Sequence, residues 1–385
     1  MMSGSRVSAS PRVAIVHEWL TQYVGSERVL EQLLRLFPRA ELFAVADFLP
    51  ADERGFLQGR RPRTTWIQSL PFARTRYRSY LPLMPLAIEQ LDVSGFDLVM
   101  SSSHAVAKGV LTGPDQVHIC YCHSPMRYAW DLQHQYLRES GLNGGVRAAA
   151  ARALLHYLRL WDARTANGVN HFVANSSYIA RRIRKAYGRD AVVIPPPVDT
   201  DFFTPTDAPR GGYFLAASRF VPYKRMDLII RAFSQRPDLR LVVIGDGPAW
   251  RECARLAGPN VELRGQRPAE ELREALRGAR AFVFAAEEDF GILPVEAQAC
   301  GTPVIAFGRG GVVDSVAPDE TGVFFDEQSE EALLAAVARL ETMRFSADTI
   351  RRRAEEFSVE AFRTRMTAHL RETLAAAGMK WSPDS

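Results

Sequence analysis

Two successive series of short apolar runs, separated by helix-length segments, limit this 385-residue chain to a narrow set of folds. The first series begins at 13–16, passes a polar loop with Gly25, and continues into a helical pattern through Val29, Leu30, Leu33, Leu34 and Phe37. Further runs follow at 96–100, 117–122, 172–174 and 192–194. Apolar strands alternating with helices predict a doubly wound parallel α/β sheet, because parallel neighbours need a crossover and the helix supplies it. Pro195, Pro196 and Pro197 then interrupt the pattern. Each lacks an N–H and has a fixed φ, so neither a helix nor a central strand continues through them. A second series starts beyond, with strands predicted at 213–217, 241–244, 261–263, 281–285, 304–306 and 322–325 and helices at 226–233, 269–276 and 294–299. Length agrees, since domains usually run to roughly 100–200 residues. Tandem sheets of this kind bind ligands at the carboxyl ends of their strands. A last helical pattern, 359–376, lies beyond the final strand, in a position to cross back to the first domain.

No apolar run reaches the roughly 18 residues of a bilayer-spanning helix, and the start, 1–11, is small and polar, so a cytoplasmic location is expected. Cys120, Cys122, Cys253 and Cys300 are too scattered for a disulfide framework and are expected as reduced, buried thiols. Cys120 and Cys122 flank Tyr121 beside His118 and His123, but 117–122 alternates like a strand and zinc motifs space their cysteines more widely, so no metal is assigned. The formal charge is +4, and the basic residues are mostly Arg, with Lys only at Lys108, Lys185, Lys224 and Lys380. From Arg54 to Ala87 there are seven Arg and no acid, interleaved with Trp66, Phe72, Tyr77, Tyr80 and Leu81. Such a segment either docks on anionic lipid headgroups, with Arg74, Arg76 and Arg78 among the contacts, or forms an ordinary solvated face. A second basic helix, 147–164, carries Leu154, Leu155, Leu158 and Trp161 and is either an aid to docking or part of the core.

Glycine-bearing turns recur where a strand meets a helix: Gly25-Ser26, Gly245-Asp246-Gly247-Pro248 and Gly308-Arg309-Gly310-Gly311. Free amides at a helix N-terminus hold phosphate, although each such turn alone is as readily a plain turn. The strongest local pattern is Glu288-Asp289-Phe290-Gly291-Ile292-Leu293-Pro294-Val295-Glu296, with Pro294 suited to a first helical turn. Two carboxylates flanking a row of amides grip two hydroxyl-bearing groups at once, or serve as ordinary helix N-terminal acids. The loop Ser218-Arg219-Phe220-Val221-Pro222-Tyr223-Lys224-Arg225 either aims a forked Arg and a point-charge Lys at a diphosphate or is plain surface. Asp199-Thr200-Asp201 matches a metal-binding D-x-D by letters, but after three prolines it reads as a turn.

The E-x7-E of Glu288 and Glu296, with Phe290-Gly291 inside it and Gly310-Gly311 after it, resembles the signature of the retaining family 4 glycosyltransferases, which have the two-domain GT-B fold. The resemblance extends over nearly the whole chain. Gly25-Ser26-Glu27 is similar to the family's first-domain glycine loop and Asn175-Ser176-Ser177 to the loop before the exit. Arg219 and Lys224 are similar to the diphosphate pair, and Gly245-Asp246-Gly247-Pro248 to the nucleotide-side turn. His17-Glu18-Trp19-Leu20 and Cys122-His123-Ser124-Pro125-Met126-Arg127-Tyr128-Ala129-Trp130-Asp131 resemble the bacterial O-antigen and exopolysaccharide mannosyltransferases, which use GDP-mannose and extend a lipid-linked saccharide. Two positions depart from the pattern: Ser26 replaces a second glycine, and Pro195-Pro196-Pro197 stands where many relatives have Asn-Gly.

The resemblance implies two Rossmann-like domains facing a central cleft, an acceptor-side domain of 1–205 plus 358–385 and a nucleotide-sugar domain of 206–357. It implies catalytic roles for His123, Arg219, Lys224 and Glu288 and an acceptor-side role for Arg127. Donor contacts would come from Gly25, Ser26, Gly245, Asp246, Gly247, Phe290, Gly291, Ile292, Leu293, Glu296, Gly310 and Gly311. No metal or other cofactor is expected: Arg219, Lys224 and the amides of Gly25 and Gly311 would meet the charge building on the departing diphosphate, and such groups are worth about 3–4 kcal/mol each. Glu288 would hold hydroxyls of the donor sugar, Glu296 the ribose, and His123 would lie close to the sugar. A double displacement needs a protein nucleophile that the family does not supply, which favours front-face attack with the leaving phosphate accepting the proton. His17, His104, His118, His134, His156, His171 and His369 are read as structural. The expected partners are a nucleotide sugar, a lipid-linked saccharide and the inner face of an anionic membrane, with no nucleic acid. UDP-glucose or another donor is an alternative, as is a nucleotide-sugar 2-epimerase, which shares the fold but not the E-x7-E. The intact site residues argue against a non-catalytic subunit, and 16–25 lacks the G-x-G-x-x-G of a dinucleotide dehydrogenase.

Overall fold

Parallel pairing gathers the apolar runs into two separate sheets in the computed structural model, which describes residues 10–383. Of the polar start, 1–9 lies outside the described residues. The chain divides into two compact units, changing over between Pro196 and Pro197 and again between Ala361 and Phe362.

In the first unit the strands are β1 (Val13–Leu20), β2 (Glu41–Asp47), β3 (Arg63–Thr64), β4 (Leu98–Ser103), β5 (Val117–Cys122), β6 (His171–Ala174) and β7 (Ala191–Val193). They lie in the order β3-β2-β1-β4-β5-β6-β7, every pair parallel. Alternate residues of the central strands face opposite cores. Ile15, Leu98, Met100, Ile119 and Tyr121 meet Val29, Leu30, Leu33 and Leu34 of the helix Gly25–Leu36. Ala14, Val16 and Val99 meet Met84, Ile88, Val106 and Leu158 on the other face. Burial on both faces makes such strands continuous apolar runs, which is how they were legible. The sequence patterning expects neither β2 nor β3. Leu42–Ala46 is an apolar run of the same kind lying close behind the first helix, whereas two-residue β3 leaves no periodic mark.

The second unit contains β8 (Tyr213–Ala217), β9 (Arg240–Ile244), β10 (Val261–Leu263), β11 (Phe282–Phe284), β12 (Val304–Phe307) and β13 (Gly322–Phe325), all parallel in the order β10-β9-β8-β11-β12-β13. Each sheet is thus a doubly wound Rossmann-like sheet, and together they make the two domains of a GT-B chain. The helix Val359–Ala376 returns to the first unit, where Phe362, Met366, Leu370 and Leu374, four residues apart, join its core. Residues 197–205, expected in the first domain, belong to the second: Val198 and Phe203 are buried in its core, and the Val198 N–H donates to Phe357 O at 2.9 Å. Asp199 closes a turn, its Oδ1 accepting the Phe202 N–H at 2.9 Å.

Candidate functional site

The strand order of each sheet reverses once, between β1 and β4 in the first unit and between β8 and β11 in the second. Loops leaving such neighbours diverge to opposite sides, and the gap between them at the carboxyl ends is where these sheets take ligands. Gly25 and Ser26 follow β1, Arg219 and Lys224 follow β8, and Glu288 to Glu296 follow β11, while the other predicted residues lie on neighbouring loops.

In the second unit, Arg219 and Lys224 stand on the loop after β8 and Glu288 on the loop after β11. Lys224 Nζ donates to Glu288 Oε1, so an ion pair of two mostly buried side chains spans the reversal point. Arg219, on the same loop as Lys224, is exposed. Ser218 Oγ, just past β8, is buried with no hydrogen-bond partner among the described residues. The glycines are there because backbones touch. A Cβ on Gly245 (φ +135) would lie 1.8 Å from the Ser218 carbonyl oxygen, and one on Gly311 would lie 2.3 Å from that of Asp289. The Gly311 N–H donates to Glu288 O at 2.8 Å, so this predicted phosphate amide is engaged in fixing the Glu288 loop. Gly310 lies against the same loop, and Gly247 against Phe220. Asp246 is exposed, and its Oδ1 accepts the Gly247 N–H at 2.7 Å, holding the turn.

Gly291 caps the helix Ile292–Ala299 in a left-handed conformation, with Ile292 and Leu293 half-buried in its first turn. Glu296 lies further along this helix and is only 2% exposed. The Phe290 ring is buried against Phe357, centroids 5.7 Å apart, so any donor contact of Phe290 is through its backbone.

In the first unit the helix Gly25–Leu36 starts directly behind β1, and Glu27 closes its N-terminus by accepting the Val24 N–H at 3.2 Å. The Ser26 hydroxyl turns onto the same carboxylate at 2.9 Å, so Ser26 is tied back to the helix instead of standing free. Glu27 Oε1 also meets His17 Nε2 at 3.3 Å, His17 Nδ1 meets Ser102 Oγ at 3.1 Å, and Ser102 Oγ meets His123 Nε2 at 2.8 Å. Asn175 Nδ2 donates to the His123 carbonyl at 3.0 Å. Burial, then the neighbouring His104 and His17, hold His123 well below the ordinary imidazole range, so its ring is neutral near pH 7. Burial alone would raise the Glu27 carboxyl, but the hydrogen bonds from His17 and the Ser26 hydroxyl bring it below its ordinary value.

Glu18 was not singled out as a site residue, and its surroundings are the most constrained in the unit. Fully buried, its carboxylate accepts the N–H groups of His104, Ala105, Val106 and Ala107 and the Ser103 hydroxyl at 2.7–3.0 Å. Acidic and imidazole side chains side by side on an otherwise apolar strand demand buried partners, and that was the available signal. The loop after β5, with half-buried Arg127, is anchored by Trp130 Nε1 donating to Asp162 at 2.8 Å and by Arg182 paired with Asp131. Asp162 itself pairs with buried Lys108 at 2.7 Å.

The basic stretch separates into two kinds of Arg. Arg54 is bidentate on Asp47, Arg60 donates to the Pro38 carbonyl, and Arg63 lies over the Phe43 ring. Arg74, Arg76 and Arg78 are exposed, with Arg76 over Phe72 and Arg78 over Tyr77. Phe72 is 74% exposed, and Leu83 and Leu86 are exposed nearby in sequence. Among the described residues no helix is long and apolar enough to cross a membrane, and no group of three or more His, Cys, Asp or Glu is placed to hold a metal ion.

Residues 23–202 match the family described as Glycosyltransferase Family 4, and residues 199–357 that described as Glycosyl transferases group 1. The GDP-mannose-dependent alpha-(1-6)-phosphatidylinositol monomannoside mannosyltransferase of Mycolicibacterium smegmatis is 32% identical over 197 residues, 43% of this chain and 51% of the relative. The D-inositol 3-phosphate glycosyltransferase of Acidothermus cellulolyticus is 28% identical over 222 residues, 49% of this chain and 50% of the relative. These matches span about half the length of the curated relatives. Among solved structures, the sucrose-phosphate synthase of Thermosynechococcus elongatus superposes with a TM-score of 0.72 at 19% identity, covering 95% of this chain and 100% of that one, a likeness of fold.

Proposed function

Because the chain belongs to the family 4 glycosyltransferases of GT-B fold, its two halves matching that family's two domain models, we propose that it moves mannose from GDP-mannose, with retention, onto a lipid-linked saccharide. The observation that carries this reading is the Lys224–Glu288 pair at the reversal point of the second sheet, with exposed Arg219 on the same loop as Lys224. Lys224 and Arg219 supply positive charge for a diphosphate, and Glu288 supplies acceptors for sugar hydroxyls next to it. Partial burial strengthens both interactions relative to open solvent. Glu296, recessed on the following helix, is assigned to the ribose, and His123 to the donor sugar. The 32% identity to a GDP-mannose-dependent enzyme supports this donor.

The charge that builds on the departing diphosphate is met in this reading by Arg219 and Lys224, so no divalent cation is required. The acceptor hydroxyl attacks from the face the diphosphate leaves, and the leaving phosphate accepts its proton. Exposed Arg74, Arg76 and Arg78, with Phe72, Leu83 and Leu86, support peripheral binding at the inner face of an anionic membrane, where a lipid-linked acceptor of bacterial surface polysaccharide synthesis resides. Nucleotide release measured with GDP-mannose, UDP-glucose and GDP-fucose, each with and without excess EDTA, tests the donor and the metal independence together. Release from GDP-mannose that survives EDTA is expected. Preference for a UDP-sugar overturns the donor, and a loss restored only by magnesium or manganese overturns the cation-free mechanism.

A further inference from the structure

His17 and Ser102 are fully buried on the two strands that flank the reversal point of the first sheet, Ser102 near the carboxyl end of β4 and His17 midway along β1. His17 on β1 is in register with Ser102 on β4, which is in register with Tyr121 on β5, just before His123. A line of hydrogen bonds therefore runs across three adjacent strands, from the capped start of the helix Gly25–Leu36 at Glu27 to His123. The bland account is a satisfied polar core. Two features point further: the line starts on the glycine loop and ends on a histidine assigned to the donor sugar, and its one obligate acceptor gives it a direction.

We propose that Glu27, His17 and Ser102 are positioning residues that fix which ring nitrogen of His123 carries the proton. An ionised carboxylate only accepts hydrogen bonds, so Glu27 Oε1 takes the proton on His17 Nε2. A His17 ring with its single proton on Nε2 has a bare Nδ1, an acceptor, and the Ser102 hydroxyl donates to it. Ser102 Oγ keeps lone pairs and accepts from His123 Nε2–H. His123 is left with a bare Nδ1, an acceptor suited to a hydroxyl donor and unsuited to a carbonyl or phosphate oxygen. A hydrogen bond on one imidazole nitrogen commonly sets the role of the other in this way. The use of this tautomer in transfer rests on the reading that His123 faces the donor sugar; the tautomer itself does not.

The test uses the full chain with 15N-labelled histidine, at about pH 8, where an imidazole of ordinary pKa is neutral. Long-range 1H–15N spectra distinguish the two tautomers, and H123N identifies the His123 signals. Wild type is expected to show His123 protonated at Nε2. In E27Q the amide keeps its oxygen for the Val24 N–H and offers its NH2 to His17 Nε2, so every bond in the line reverses and His123 should appear protonated at Nδ1. Turnover should then fall about tenfold, the loss of one hydrogen bond made in transfer. In S102A the line is cut, and His123 should become a mixture of tautomers while His17 stays protonated at Nε2. His123 found at Nδ1–H in wild type, or a folded E27Q or S102A with its tautomer unchanged, overturns the proposal. A reversed tautomer with unchanged turnover overturns the positioning role and removes His123 from the sugar. Failure of the wild type to use any nucleotide sugar would instead sink the transfer reading and leave the tautomer result standing.

Discussion

The two sheets have the same strand order around their reversal points, yet they furnish those points differently. The second unit brings backbones together so closely that Gly245 and Gly311 have no room for a Cβ, and sets Lys224, Glu288 and exposed Arg219 around the gap. The first unit fills the corresponding place with recessed polar groups, His17, Ser102 and neutral His123, beside a Glu18 carboxylate saturated by the amides of residues 104–107. One arrangement suits a charged ligand group, and the other suits the orientation of neutral hydroxyls. Identical topology therefore says where each site lies, while the side chains at that place decide what it binds.

The largest effect should come from the first unit's anion. E18A leaves four buried N–H groups without an acceptor, and the first unit is expected to lose about 4 kcal/mol or more, read by urea denaturation and by amide exchange. Exchange in β8 to β13 should not change. The pH dependence sharpens the point. Burial alone would raise the Glu18 carboxyl, but the charge of His104 and the amides of Val106, Ala107 and Ala105 hold it below its ordinary value of 4.5. A depressed folded pKa contributes stability that is complete above the unfolded value and is lost as pH falls through the folded one. Wild type should therefore lose stability as pH falls below the ordinary carboxyl value of 4.5, and E18A should lack that part of the acid limb. An E18A protein as stable as wild type would mean that water replaces the carboxylate without cost.

The second effect tests the other sheet. K224A and E288A should each lower kcat/KM roughly 100-fold or more while stability stays near wild type. Because the two side chains touch, each single variant also leaves its partner's charge unmatched, and the double variant should lose much less than the product of the two. Multiplicative losses would show that the pair acts as two independent contacts. Unchanged kinetics in either variant would return that residue to the surface.

What the sequence made legible follows the same division. Lys224 and Glu288 stood out because each lies on a loop directly after an apolar strand, and the ordering of strands in a doubly wound sheet brings such loops together. The line from Glu27 to His123 was not legible, since it depends on the register of β1, β4 and β5: His17 and Ser102 are 85 residues apart. His17 was accordingly read as structural. Phe290 shows another limit of motif reading: a residue inside a binding motif can offer its backbone there while its ring packs on Phe357, a contact that depends on a later part of the chain. The boundary near 205 moved to 196 because Val198 and Phe203 answer to a core assembled later in the chain.

The smallest effect separates the units at their surfaces. Arginines on the second unit are commonly matched: Arg231 with Asp227 and Glu330, Arg236 with Asp238, Arg240 with Glu262, Arg339 with Asp319. Arg74, Arg76 and Arg78 have no acid in their own stretch and stand exposed beside aromatic rings and a bare Phe72. Each Arg close to an anionic bilayer contributes about 1 kcal/mol, so R74S, R76S and R78S should each weaken sedimentation with anionic liposomes about fivefold at low salt. High salt should shrink the difference, since screening acts on exposed charges. R54S is the control within the same stretch: its guanidinium is engaged by Asp47, so it should cost stability and leave liposome binding alone. Equal losses from R54S and R76S would show that only net charge matters, and no binding at low salt would leave this surface an ordinary solvated loop.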